Sequence, residues 1–187
     1  MQELIEIVYR CNPEAGVVGR ITWDAGRTST ALDSWQGWLR TCFRPILLPH
    51  LVLVHQEARV QGVRELCRAA HALDAQLPAV PRQRSLAAGE RLIFQKPPQG
   101  DRVQGRFLAE VRSSRAPGHF ATLFALRGAG FSLPLRTSLL AYLVQELFGG
   151  DCSPDALARL LGQALPAVND GLKAKDVYAE GGAPLHG

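Results

Sequence analysis

Histidines, cysteines and arginines are the side chains with which this chain could do chemistry, and their spacing decides which chemistry is open to them. His50 and His55 stand five residues apart, about 140° around a helix, so both imidazoles cannot reach one metal ion. They read as structural histidines. His119 follows Pro117-Gly118 at a predicted helix start, where the positive end of the helix dipole disfavours imidazolium. A neutral ring acting as a capping or interface residue is expected there. Paired with Glu146, it is the acid/base combination that sequence leaves open. Cys11, Cys42, Cys67 and Cys152 form no C-x-x-C pair and no Cys/His cluster at zinc spacing, so they read as buried thiols in a reducing compartment. H-E-x-x-H, G-x-S-x-G, Walker-type and dinucleotide-binding glycine patterns are missing. Gly105, Gly128 and Gly130 follow no predicted strand and read as packing or cap glycines. No catalytic residue, resident cofactor or metal site is predicted.

Arginine is the dominant charge. Lys plus Arg number 21 against 17 Asp plus Glu, a formal charge of +4, too small for a polybasic tail or a disordered acidic chain. Only Lys96, Lys173 and Lys175 are lysines, and guanidinium favours bidentate contact with carboxylate or phosphate. Between Arg82 and Arg115 the bases Arg82, Arg84, Arg91, Lys96, Arg102, Arg106, Arg112 and Arg115 outnumber Glu90, Asp101 and Glu110. This stretch reads either as a face for an acidic partner or as a solvated helical face. Nucleic acid is the weaker reading, because aromatic rings do not interleave with these bases. Trp38 falls off the line of Leu32, Trp35 and Leu39 and reads as a surface anchor.

The elements that must position these residues repeat their apolar side chains with a helical period, which predicts an all-α, single-domain bundle of about eight helices. A length of 187 residues with 47% hydrophobic content suffices for one core. Residues 1–27 form a partly irregular N-terminal segment in which LIEIVY reads as strand or helix. Residues 28–168 form the bundle. A box at Thr30 and Asp33 opens a helix that Arg44-Pro45 ends. Helices then follow over Leu48 to Gly62, over Val63 to Leu77 and at about 83–95. Pro97 to Gly100 is a hinge. Beyond it lie a polar helix, an apolar one beginning near Pro117, and a strong one after Ser132 that Gly149-Gly150 terminates. Ser153-Pro154-Asp155 starts a helix running to about Leu165, and 169–187 read as a flexible tail. The opening MQELIEIVYR lacks the bases of a signal peptide, and no apolar run approaches the roughly 18 residues of a membrane span. A cytoplasmic protein is expected.

The stretch from Thr30 to Ile93 resembles the UreF family of urease accessory proteins. There a tryptophan-leucine helix precedes an apolar helix and a segment R-x-x-S-x-x-x-G-x-x-L, matched by Arg82, Ser85, Gly89 and Leu92. GHFATLFALRGAGFSLPLRTSLLAYLVQEL is similar to the family's later helices, with His119, Phe124, Leu140, Ala141, Tyr142 and Leu143 on matching positions. Arg159, Leu160, Leu161, Gly162 and Gln163 resemble its R-L-x-P-L-G-Q. Two departures stand out. The family's opening motif is met only near Gly19, Ile21, Ala25 and Gly26, and its glutamine-bearing continuation is replaced by Ala164 to Ala167.

The resemblance implies a divergent, helical, homodimeric member without a catalytic centre. It would join a UreD/UreH-type accessory protein and a UreG-type GTPase in supporting nickel insertion into apo-urease. The alternative is a helical nucleic-acid-binding or regulatory domain using the Arg-rich face. Partner contacts are expected at Arg82, Arg84, Arg91, His119, Tyr142, Arg159, Leu161, Gly162 and Gln163.

Overall fold

Apolar residues at helical spacing dictate the local structure, and helix follows helix along the chain. The elements are α1 (Gln2–Cys11), α2 (Ala15–Val18), α3 (Ala31–Trp38), α4 (Leu48–Val60), α5 (Val63–Gln76), α6 (Ala79–Ile93), α7 (Arg102–Arg112), α8 (Phe120–Gly130), α9 (Leu135–Leu147) and α10 (Pro154–Glu180), with a π-helical stretch Leu39–Leu47 joining α3 to α4. The structure is a computed structural model that describes residues 1–23, 31–96, 98, 102–148 and 153–180. No strand occurs among the described residues, so the all-α expectation holds and LIEIVY is helical.

α8 is buried on every side from Phe120 to Gly128, as a helix apolar around its whole circumference requires. α4 and α6 pack most extensively on it, with α9, α7 and α1 completing the enclosure. α5 lies on α4 and α7, while α10 crosses α9, α4 and α3. α1 lies against α9 and buries Val8 and Cys11.

Several boundaries depart from the sequence reading. Pro45 does not end a helix, because the chain continues through it in π-helical form from Leu39 to Leu47. The wider turn accommodates a residue that has no N–H to give. Trp38 is not a surface anchor: it is 7% exposed and stacks on Trp35, with ring centroids 4.8 Å apart and an interplanar angle of 25°. α10 continues past Leu165 to Glu180, since Val168 and Leu172 prolong the apolar stripe and Gly171 lets the helix close on Leu48. The cap expected at Ser153 forms, its hydroxyl accepting the Ala156 N–H at 3.3 Å. Thr30, most of the 97–100 hinge, Gly149-Gly150, Cys152 and the last residues of the expected tail, 181–187, lie outside the described residues.

Gly89 is a position where the fold needs a missing side chain. A Cβ there would overlap the Gly118 carbonyl oxygen, because α6 runs against the turn that leads into α8. Gly105 is the contrast: a Cβ there meets nothing within 4 Å. Gly89→Ala is therefore expected to destabilise by about 2 kcal/mol or more, and Gly105→Ala to stabilise by roughly 0.5–1 kcal/mol through helix propensity. Urea unfolding of the two variants beside the parent chain checks both signs.

Candidate functional site

Polar side chains carried into the core gather in three places. At the first, His119 caps α8 and is fully buried. Its Nδ1 lies 3.3 Å from Ser85 Oγ on α6 and its Nε2 lies 3.1 Å from Asp74 Oδ1 on α5. Burial lowers its pKa, and the Arg82 charge acts in the same direction; the hydrogen bond and charge of Asp74 oppose them. His50 on α4 lies beneath, its Nε2 2.9 Å from Thr122 Oγ1. Burial, reinforced by the nearby His119, pushes it down to about 3. His55 pairs with the Leu133 carbonyl at 3.0 Å. Both members of the His50/His55 pair are thus satisfied structural histidines. Ser85, His119 and Asp74 share partners with a hydrolase triad, but Ser85 is fully buried, so its hydroxyl offers no face to a substrate.

The second place is Arg127 of α8, only 3% exposed. It donates Nε–H to the Cys11 carbonyl at 2.6 Å and Nη1–H to the Lys96 carbonyl at 3.0 Å. A guanidinium on the last carbonyls of α1 meets the negative end of that helix. Burial pushes the Cys11 thiol up to about 12, against the pull of Arg127 and Arg10.

Gln145 and Glu146 of α9 make the third. Asn12 Nδ2 donates to Gln145 Oε1 at 3.0 Å, and Gln145 Nε2 donates to the Gly19 carbonyl at 3.0 Å. The Glu146 carboxylate, fully buried, accepts the backbone N–H of Ile21, Thr22 and Trp23 at 3.0, 2.9 and 3.1 Å. It also accepts the Thr22 hydroxyl at 2.6 Å and the Tyr142 hydroxyl at 3.0 Å. Burial first, and the Glu146 charge second, push the Cys42 thiol up to about 12 and raise Tyr142 well above its ordinary value. Glu146 and His119 each have other partners, so the open acid/base pair is not formed.

The expected partner contacts divide by exposure. Arg82, Arg84 and Arg91 lie exposed on α6, with Arg91 Nη1 2.8 Å from Glu14 Oε2. Arg159 and Gly162 are exposed on α10, and Gln163 is half-buried, its Oε1 enclosed without a partner among the described residues. His119, Tyr142 and Leu161 are buried and cannot touch a partner of this conformation; they hold helices together. α6 packs chiefly on α8, and α10 on α9, α4 and α3, so the predicted residues form two surfaces and not one site.

The model of the UreF family matches residues 27–147. The chain belongs to the UreF family. Neither a curated protein nor a solved structure matches it. Membership brings a urease accessory role in nickel metallocentre assembly. For a UreF protein, the division between inward and outward residues is informative. In its R-x-x-S-x-x-x-G-x-x-L segment, Ser85, Gly89 and Leu92 face inward and Arg82 faces out. Arg159 to Gln163 lie beyond the matched span. Among the described residues no group of three or more His, Cys, Asp or Glu side chains is placed to hold a metal ion, and no helix is long and apolar enough to cross a membrane. Sequence reasoning missed Arg127, Gln145 and Asp74 altogether. For Arg127 and Gln145 the signal was available, since charged or amide residues inside FALRGAG and LLAYLVQELF must find buried partners; half-exposed Asp74 on α5 gave none.

His50 and His119 make the UreF core sensitive to acid. The unfolded chain takes up a proton near 6.5 at each, whereas folded His50 stays neutral down to about 3. The unfolded state thus binds more protons, and stability falls as pH drops through that window by up to about 1.4 kcal/mol per pH unit from His50. His50→Gln keeps a hydrogen-bonding group near Thr122 and does not titrate. Urea unfolding at about pH 7 and about pH 5 is expected to show a smaller loss in this variant than in the parent.

Proposed function

We propose that this UreF protein is a non-catalytic adaptor for urease maturation. It joins a UreD/UreH-type accessory protein and a UreG-type GTPase, as a homodimer in the cytoplasm, to support nickel insertion into apo-urease. The observation that carries the reading is the family match over 27–147, and it is supported by a helical body that buries Arg127 but leaves Arg82, Arg84 and Arg91 exposed on one outer face. The outer face of α6, with Arg82 and Arg84, meets the GTPase, and the α10 face at Arg159, Gly162 and Gln163 meets the accessory protein. Exposed arginines suit an acidic partner surface because they reach carboxylates bidentately and lose little on desolvation. The Arg91 pair with Glu14 is half-exposed at both ends and contributes little to stability, so a partner carboxylate can exchange for Glu14.

Pull-down and calorimetry with the two accessory proteins test this. Arg82→Glu combined with Arg84→Glu is expected to weaken GTPase capture about tenfold or more at fixed salt, and Arg159→Glu to do the same for the accessory protein. The thermal midpoint is expected to move by no more than about a few degrees in either case. Absence of any complex between the parent chain and these proteins at micromolar concentration sinks the adaptor reading.

A further inference from the structure

We infer that Glu146, acting through residues 21–23 and the Trp23–Trp35 pair, sets the position of α10 and so aims its Arg159–Gln163 face. Glu146, Thr22, Trp23 and Trp35 are positioning residues for that face. As a route to partner contact this rests on the adaptor reading; as a mechanical link inside the chain it does not.

The first step is electrostatic. A buried carboxylate is costly unless its lone pairs are filled, and charge-assisted bonds are the strong ones. Glu146 meets that demand with three successive backbone N–H groups and the Thr22 hydroxyl. Three consecutive donors converging on one carboxylate fix both the path and the rotation of the 21–23 backbone, as in an anion-binding nest. The side chain of Trp23 is fixed with it. The Trp23 Nε1–H donates to Ser34 Oγ at 3.0 Å, and its ring meets Trp35 edge-on at 5.0 Å and 72°.

The second step crosses to α10. Trp35 is fully buried and donates Nε1–H to the Leu160 carbonyl at 2.8 Å. α10 otherwise buries Leu160, Leu161, Ala164, Ala167 and Val168 and packs on α9, α4 and α3, and apolar burial is non-directional. Such contacts allow a helix to slide or roll. A hydrogen bond to one carbonyl does not, and Leu160 directly precedes the Leu161–Gln163 stretch. Freeing 21–23 removes the edge-on Trp23 ring and leaves Trp35 only its stack on Trp38, so that Trp35 holds α10 less firmly in one setting.

Hydrogen exchange on the full-length chain decides the matter without any partner. Glu146→Gln turns one acceptor into a donor facing donors, and is expected to raise exchange at 21–23 and, roughly tenfold, at the α10 amides around 161–165, leaving α8 protected. Trp35→Phe lacks the Nε1–H and is expected to loosen α10 while 21–23 stays protected. Unchanged α10 exchange in Glu146→Gln overturns the inference. So does a uniform rise that includes α8, because Glu146 is then only one member of an undivided core. If Glu146→Gln does not fold, Thr22→Val, which removes the 2.6 Å hydroxyl donor, takes its place with the same outcomes. Affinity for the UreD/UreH-type protein is measured in parallel and is expected to fall roughly tenfold in Trp35→Phe. Binding by the parent chain with no loss in this variant overturns the aiming role; no binding even by the parent chain overturns the adaptor reading and leaves the internal link to the exchange data.

Discussion

α8 has no face in water. Everything else in the fold answers that constraint, because a helix buried on all sides can be stable only inside a shell of other helices, and every polar atom it carries must be satisfied by that shell. Phe120, Leu123, Phe124 and Leu126 take their contacts from opposite directions, which brings α4, α6 and α9 to separate flanks of one rod. The polar residues on α8 then act as registration points. Thr122 meets His50 on α4, His119 meets Asp74 and Ser85 on α5 and α6, and Arg127 meets the ends of α1 and the Lys96 carbonyl. Apolar packing alone would leave the rotation of each neighbour loosely defined; these bonds select one rotation.

The N-terminal arm is held by the same logic applied at α9. Residues 1–23 lie outside the span matched by the family model, yet their buried polar contacts come from Arg127, Gln145 and Glu146, inside it. α1 contributes apolar burial at Val8 and Cys11, and Asn12, Gly19 and 21–23 contribute hydrogen bonds. Removing the arm would leave the Gln145 amide in the core without partners and would leave Glu146 with Tyr142 and Arg127 with the Lys96 carbonyl, each lost set of bonds costing about 1–3 kcal/mol or more. The arm is therefore part of the body it covers.

Much of this was readable from residue spacing, and the failures share a cause. Helices over Val63–Gln76 and Leu135–Leu147 follow from periodicity, and the neutral, capping His119 follows from its place after Pro117-Gly118. What spacing could not reveal is how a neighbour overrides a local rule. Pro45 should break a helix, but Trp38, Cys42, Phe43 and Leu47 are all buried, and keeping them so favours widening the turn over leaving the helix. Trp38 lies off the Trp35 line on an ideal helix; its burial puts it on the core side after all. α10 runs on because Gly171 lets it close on Leu48, a tertiary contact that no local signal announces. Exposure decided the rest: His119, Tyr142 and Leu161 share a pattern with exposed residues such as Arg82 and Arg159 but lie inside.

That last division bears on what the family resemblance means. Most of the residues that carry it within the matched span, Ser85, Gly89, Leu92, His119, Phe124, Ala141, Tyr142 and Leu143, are buried, whereas Arg82 is exposed and Leu140 half-buried. They define how close α6 comes to the turn before α8 and how α8 meets α9, which is a statement about the shape of the scaffold. Recognition has to be carried by side chains that water reaches: on α6 those include Arg82, Arg84 and Arg91, and on α10 Asp155, Arg159, Asn169, Asp170 and Lys173. A scaffold specified from within leaves its outer faces free to take a different set of charges without disturbing the packing beneath, since surface substitutions away from buried networks change stability by only about 0.5 kcal/mol. The departures around residues 12–26 and after Gln163 fit this separation. Where the family's opening and closing motifs are lost, this chain still supplies Ile21, Trp23, Ala164, Ala167 and Val168 to the core, so the body persists while the surfaces that partners would read are its own.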